Sequence, residues 1–367
     1  RTQDGSRAMG RLLIIKNRTD HRRLFMHPTV HRLTASLLLF SSLLLGGCDK
    51  VQETAMDFLV KDRTDYSMLT DQQQIRVILC GTGTPQVRSP RGQACTLVVA
   101  GGQLFLFDAG ENTMRNLENS HIPMSEVNKV FITHLHSDHI SGLGGLINYT
   151  WVNGRTAPLT VYGPLGTAGL VKGLEQAYAD DARFRSSHFV PHPELAFAQA
   201  QTILFKSGVT SVRVYEQDGV TVDAWRVDHR PVDPALGYLL SYRGKKVFIS
   251  GDTRVSEIYL PALQDADLVV HEAINRNMLE SAAAALRRQD MPDQADKALR
   301  TLEYHSDTLE LAALVEKAGA RHLLLTHLIP APPNFFTRRM FLDGMDERYS
   351  GQITLGEDGM QVSLPTP

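Results

Sequence analysis

Three imidazoles and one carboxylate fall within six consecutive residues of this chain, in the run Thr133-His134-Leu135-His136-Ser137-Asp138-His139. Neutral imidazole and carboxylate suit ions such as Zn, Fe or Mn. The apolar residues 130–133 just before the run read as a short buried strand. Alternate side chains of an extended segment face the same way, so His134 and His136 can converge on one ion. Asp138 and His139, where the chain curls into a helix, can serve a second. A single histidine would carry little weight, but four ligand-type groups at this spacing point to a metal site.

Other candidates stand singly. Asp252 in Ser250-Gly251-Asp252-Thr253, His327 in Leu325-Thr326-His327 and His229 after the run 220–227 each sit at the end of an apolar segment. Alone, Asp252 could be a turn carboxylate and His327 a strand-end histidine. Their placement at strand ends keeps them as candidates to join the cluster. His188 and His192 compete for the role of His229, but their proline-rich stretch makes them surface residues.

The elements that must position these groups follow from periodicity. Strands are expected at 75–80, 96–100, 103–107, 130–133, 159–162, 212–215, 220–227, 238–242, 247–250, 268–270 and 322–326. Gly101-Gly102, Asp218-Gly219 and Arg243-Gly244 mark hairpin turns. Helices are expected at 167–179, 278–288 and 309–317, the last stopped by Gly319. Residues 352–355 and 360–364 are expected as a closing strand pair. This order suits a layered α/β protein, sheet on sheet inside and helices outside.

The HxHxDH run resembles the hallmark of the metallo-β-lactamase superfamily, and the resemblance covers about residues 75–364. It implies a four-layer αββα sandwich. It also implies one ion held by His134, His136 and His229 and a second by Asp138, His139 and His327, with Asp252 bridging. Zinc is the expected metal, with manganese or iron as alternatives. Phe105-Leu106-Phe107-Asp108-Ala109-Gly110 is similar to the first family motif, in which Asp108 supports the site without binding metal. At His229 the chain departs from the β-lactamases, since Arg230-Pro231 follows in place of a glycine-containing context.

Two features resemble the ribonuclease Z and arylsulfatase branch: Val269-Val270-His271-Glu272-Ala273 and Tyr304-His305-Ser306, together with the early turn Gly81-Thr82-Gly83-Thr84-Pro85. There His305 implies a group that serves the leaving oxygen, with Glu272 holding it, while Asp138 orients the attacking water. Ribonuclease Z enzymes that cut precursor tRNA carry a long arm between the third motif and the bridging aspartate. Here the interval from His229 to Asp252 has room for a single hairpin. A hydrolase of phosphodiesters or aryl sulfates is therefore expected, acting on a small-molecule ester rather than nucleic acid. A tRNA 3′ endonuclease, a lactonase-type esterase and a tethered binding protein with a degenerate site are the alternatives. An aromatic mouth is expected from Trp151 in the loop 149–155 and from Phe335 and Phe336 in the loop 330–336.

The chain has 367 residues, is 43% hydrophobic and 21% charged, and carries a formal net charge of -2. Residues 1–47 are basic, which leaves a net of -8 for the remainder. An acidic body argues against a general nucleic-acid binder. Residues 26–47 have the shape of a secretory signal, with an apolar middle and Leu45-Gly46-Gly47-Cys48, which is similar to a bacterial lipobox. The expected organisation is an upstream extension at 1–25, a signal at 26–47, a lipidated tether at 48–74 and a hydrolase domain at 75–367. Cys48 would then anchor an exported protein facing the periplasm, with Asp49 resembling an inner-membrane retention signal. A homodimer is left open. No CxxC pair occurs, and Cys80 and Cys95, in apolar runs, are expected as buried free thiols rather than a disulfide.

Overall fold

In the computed structural model the described residues are 48–63, 66–86, 89–188 and 192–367. The expected extension and signal, at 1–47, lie outside them, as does the Cys48 side chain. The described residues up to Lys61 belong to one unit and Asp62–Pro367 to another. In the first, the expected tether begins as a helix, α1 (Cys48–Arg63). Its sequence is free of Gly and Pro and rich in straight-chain residues, which lose little freedom on coiling. No helix among the described residues is long and apolar enough to cross a membrane.

The second unit begins with the helical turn α2 (Ser67–Thr70) and the strands β1 (Gln74–Gly81), β2 (Cys95–Ala100) and β3 (Gln103–Phe107). Next come α3 (Thr113–Asn119), β4 (Lys129–Phe131), α4 (Ser137–Ile140), α5 (Leu143–Val152), β5 (Leu159–Gly163), α6 (Thr167–Ser186) and β6 (Ala198–Thr202). The second half runs β7 (Ser211–Gln217), β8 (Val220–His229), β9 (Val232–Tyr242), β10 (Lys245–Ile249), α7 (Leu260–Leu263), β11 (Leu268–Ile274), α8 (Arg276–Arg288) and α9 (Pro292–Arg300). It closes with α10 (Thr308–Ala318), β12 (His322–Ile329), α11 (Phe335–Leu342), β13 (Gln352–Leu355) and β14 (Gln361–Pro365).

Two seven-stranded sheets result, ordered β14-β1-β2-β3-β4-β5-β6 and β13-β12-β11-β10-β9-β8-β7. Each is antiparallel over four strands and parallel beyond. Apolar side chains from both, among them Phe105, Phe131, Tyr238, Val222 and Leu324, meet in one buried layer. The outer face of the first sheet packs on helices through Leu117, Leu143 and Leu146, and that of the second through Leu263, Leu311 and Val315. Each fully buried side chain of this kind contributes roughly 1.5–3 kcal/mol. This second unit is thus the expected four-layer αββα sandwich, in which loops at the strand ends are where functional residues tend to lie.

Two expectations are corrected. Residues 352–355 and 361–365 do not pair with each other: β13 extends the second sheet beside β12, and β14 extends the first beside β1. The chain crosses between sheets at Gly356–Gly359, so both strands find an open edge. Cys80 and Cys95 are buried, as expected, but form a disulfide. They face each other because β1 and β2 are antiparallel neighbours with an irregular register between Leu79 and Gly81, which brings their Cα atoms to 5.0 Å.

Candidate metal centre

The seven ligand candidates arrive at one rim of the sandwich from four places. His134, His136, Asp138 and His139 follow β4, His229 ends β8, Asp252 follows β10, and His327 lies in β12. Candidate ligand atoms of His134, His136, His229 and Asp252 lie within 4.8 Å of one another, and so do those of Asp138, His139 and His327. Asp252 touches both sets. Its Oδ2 is 3.9 Å from Nε2 of His134, 3.9 Å from Nε2 of His229 and 3.5 Å from Nε2 of His327, and its Oδ1 is 3.4 Å from Nε2 of His139.

Local backbone irregularities aim these groups. Between β11 and β12 the register slips so that Thr326 faces Glu272 and Leu328 faces Ala273, which leaves His327 as the extra residue. Its φ of 43° is a left-handed value that a non-glycine residue adopts at a cost of about 1–3 kcal/mol. Such a bulge turns a side chain out of its alternation and toward the rim. The register also shifts between Val227 and His229. At Gly251 a Cβ would lie 2.6 Å from that of Thr133, so only glycine lets the Asp252 turn approach the cluster strand.

Behind the ligand candidates, Asp108 holds the cluster. Its Oδ1 accepts from the Thr133 amide (2.8 Å), and its Oδ2 accepts from Thr133 Oγ1 (2.9 Å) and His139 Nδ1 (2.8 Å). This bond fixes the His139 tautomer and leaves its Nε2 for a ligand, a common arrangement behind metal-binding histidines. His229 likewise donates Nδ1–H to the Tyr304 carbonyl at 3.0 Å.

Burial lowers the pKa of His134, His136 and His229, so these rings are neutral, the form in which imidazole binds metal. For His139 and His327 burial acts downward too, but Asp252 and the carboxylates of Asp108 and Asp138 outweigh it. His139 rises well above its ordinary value and His327 rises to about 9. Burial acts against the charge of Asp252, yet His327 and His139 hold its pKa well below the usual range. The carboxylates thus favour positive charge on His139 and His327, and these two in turn favour the negative charge of Asp252. His139 Nε2, Asp252 Oδ1 and His327 Nδ1 are buried without any hydrogen-bond partner. Unpaired buried polar atoms are costly, and a cation between His139 Nε2 and Asp252 Oδ1, which stand 3.4 Å apart, would satisfy both.

Glu272 and His305 stand beside this group. Glu272 Oε1 accepts from His305 Nδ1 (2.9 Å), the Thr253 amide (3.0 Å) and the Ser306 amide (3.2 Å). His305 is thereby oriented with Nε2 as its remaining ring nitrogen. It also falls with Asp252 and His327 in a third potential ligand group, which the sequence did not suggest.

A cleft of about 430 Å3 opens onto the site, lined by His136, Asp138, His229, Asp252, His305 and His327 together with Thr84–Gln86, Lys297, Thr301, Tyr304 and Ile329. The expected aromatic mouth is absent from it. Trp151 is fully buried, donates Nε1–H to the His192 carbonyl and packs with Ala182 and Ala196. Phe335 and Phe336 are exposed on α11, and Phe336 lines a different groove with Met278 and Met340. His188 and His192 are exposed, away from the site. Sequence reasoning missed Thr133 as the partner of Asp108, although it directly precedes the cluster. It also missed Lys297, which carries no motif, and gave Tyr304 no role beyond its place beside His305.

The sequence profile of the family described as anti-Pycsar protein Apyc1 matches residues 75–327. The chain is 31% identical to ribonuclease Z of Mycolicibacterium paratuberculosis over 304 residues, 80% of this chain and 99% of that protein. It is 34% identical to ribonuclease Z of Mycobacterium sp. (strain KMS) over 258 residues, 70% of this chain and 85% of that protein. Among solved structures it is similar to human tRNase Z, short form, at 27% identity and a TM-score of 0.56, covering 79% of this chain and 99% of that one.

Proposed function

Because the chain belongs to the ribonuclease Z-like family of metallo-β-lactamase-fold hydrolases, we propose that it is a metal-dependent phosphodiesterase, with sulfate esters as a second substrate class. The observation that carries this reading is the position of Asp252 between two groups of histidines, each able to hold one cation. His134, His136 and His229 would hold one ion and Asp138, His139 and His327 the other, with Asp252 shared and zinc the first candidate. When bound, divalent cations supply Lewis acidity and lower the pKa of water toward neutrality.

The chain's own residues then have distinct tasks. Asp138, at the cleft surface, accepts a hydrogen bond from the attacking water and orients it. Asp108 keeps His139 in one tautomer. Glu272 fixes His305 through Nδ1, so that Nε2 is the atom that delivers a proton to the departing oxygen. The fixed carboxylates and imidazoles are arranged before the reaction, which is where most electrostatic rate enhancement originates.

Precursor tRNA is the second reading. The relatives' names favour it and weaken the expectation that nucleic acid is excluded. Against it, β9 and β10 are joined by the turn Arg243-Gly244, so the interval between His229 and Asp252 carries no arm. The reading extends to an exported, lipid-anchored protein. It is supported by the signal-like residues 26–47 and by the Cys80–Cys95 disulfide, since such bonds persist in oxidising compartments. The test is a panel of bis-aryl phosphate, aryl sulfate, lactone, cephalosporin and precursor tRNA, with and without chelator. Chelator-sensitive turnover of the bis-aryl phosphate above the others is expected. Turnover confined to the lactone or cephalosporin, or insensitive to chelator, contradicts the proposal, and turnover confined to precursor tRNA selects the second reading.

A further inference from the structure

Nearly every ionisable side chain that lines the cleft belongs to the ligand set or to the Glu272–His305 pair. The remaining charged one is Lys297. It lies on α9, which is held to α8 by the Arg287–Asp296 ion pair at 2.7 Å. Lys297, Thr301 and Tyr304 recur at intervals of four and three, one face of a helical path, and all three line the cleft. The other charged residues of the same helix, Asp293, Asp296 and Arg300, do not line it.

Lys297 has no hydrogen-bond or ion-pair partner among the described residues. Lys172 pairs with Glu175 and Lys245 with Asp267, whereas Lys206 is as unpaired as Lys297 but does not line the cleft. The charge of the scissile group is already met at the floor of the cleft, where the ligand set would hold cations. A free ammonium on the cleft wall is therefore surplus to the scissile group.

We propose that Lys297 sets the specificity of the cleft by binding a second anionic group of the substrate, remote from the scissile bond. This rests on the reading that the cleft hydrolyses an anionic ester, and it adds that the preferred ester carries a further negative charge. Lys297 is exposed in the open cleft, and once a bound substrate covers it a charge-assisted hydrogen bond gives about a tenfold preference.

The test uses the full chain with metal and a dinucleotide analogue whose scissile P–O–C bridge is P–CH2–C, with and without a terminal 5′-phosphate. Calorimetry should show the phosphorylated analogue bound about tenfold more tightly by the wild type. K297Q should bring that ratio close to one, K297R should keep it, and K172Q on α6 should leave it unaltered. A wild-type ratio within about twofold of one, or the full ratio retained in K297Q, overturns the proposal. Turnover of bis-aryl phosphate with and without chelator is measured in parallel. It judges the hydrolase reading, while the binding ratio judges Lys297, so the two can fail separately.

Discussion

Replacing Asp108 by asparagine tests how the cluster is held while keeping size and shape. Asparagine tolerates the left-handed backbone at this position, where φ is 59°. Its carbonyl can still accept from the Thr133 amide, the bond that Asp108 Oδ1 makes at 2.8 Å. Its amide group then stands where Oδ2 now accepts from His139 Nδ1 at 2.8 Å. Two donors face each other unless His139 moves its proton to Nε2. That is the nitrogen 3.4 Å from Asp252 and 3.7 Å from Asp138, and a protonated Nε2 cannot bind metal. Losing such a supporting partner weakens metal affinity by about 10- to 100-fold, or ~1.4–2.7 kcal/mol. In the metal-free fold the Asp108 carboxylate also helps to hold His139 well above its ordinary pKa, so the metal-free melting temperature should fall as well, and affinities are compared at a temperature where both proteins are folded. Competition titration against a chelator measures the affinity. An Asp108→Asn variant that binds metal within about twofold of the wild type would refute this account of His139.

Three further outcomes are expected. His305→Ala should keep its full metal content yet lose about 10²–10⁴ in rate on esters with poor leaving groups and far less on nitrophenyl esters, and equal loss on every ester would contradict its role as proton donor. Gly251→Ala places a Cβ 2.6 Å from that of Thr133 and 2.7 Å from the Leu236 carbonyl at a φ of 59°. It should cost ~2–4 kcal/mol in denaturant unfolding, and a loss below ~0.5 kcal/mol would mean the turn relaxes freely. Buried His271 stays neutral in the fold because burial lowers its pKa from 6.5 to about 4. The unfolded chain takes up that proton first, so this residue favours unfolding progressively as pH falls from 6.5 toward 4, by up to ~3 kcal/mol. His271→Gln should flatten the acid limb of the stability profile, and an unchanged slope would count against a neutral His271.

The cluster was legible because its ligands are neighbours in sequence and their spacing alone implies convergence. His229, Asp252 and His327 were legible only through the order of the family motifs together with their strand-end placement, since nothing local distinguishes His327 from an ordinary strand histidine. What turns it inward is a bulge of one residue against β11, a property of pairing that one strand's sequence does not contain. The Cys80–Cys95 bond was missed for a like reason: it depends on the register of β1 with β2. The final strands were misread as a pair because their alternation states that they are strands but not which edge each will fill. Trp151 was misassigned because an aromatic residue at a helix end reads the same whether it closes a cleft or, as here, the core behind it. Lys297 is invisible in sequence, since a lysine on an exposed helix has no signature until the fold brings that face over the site.

In the proposed centre one carboxylate, Asp252, joins two cation positions. Elemental analysis of the purified chain should find about two divalent ions per molecule, and Asp252→Asn should retain about one or fewer at the same protein folding signature. Fewer than about one ion per wild-type chain after loading with zinc, or about two still bound by the Asp252 variant with unchanged affinity, would contradict it.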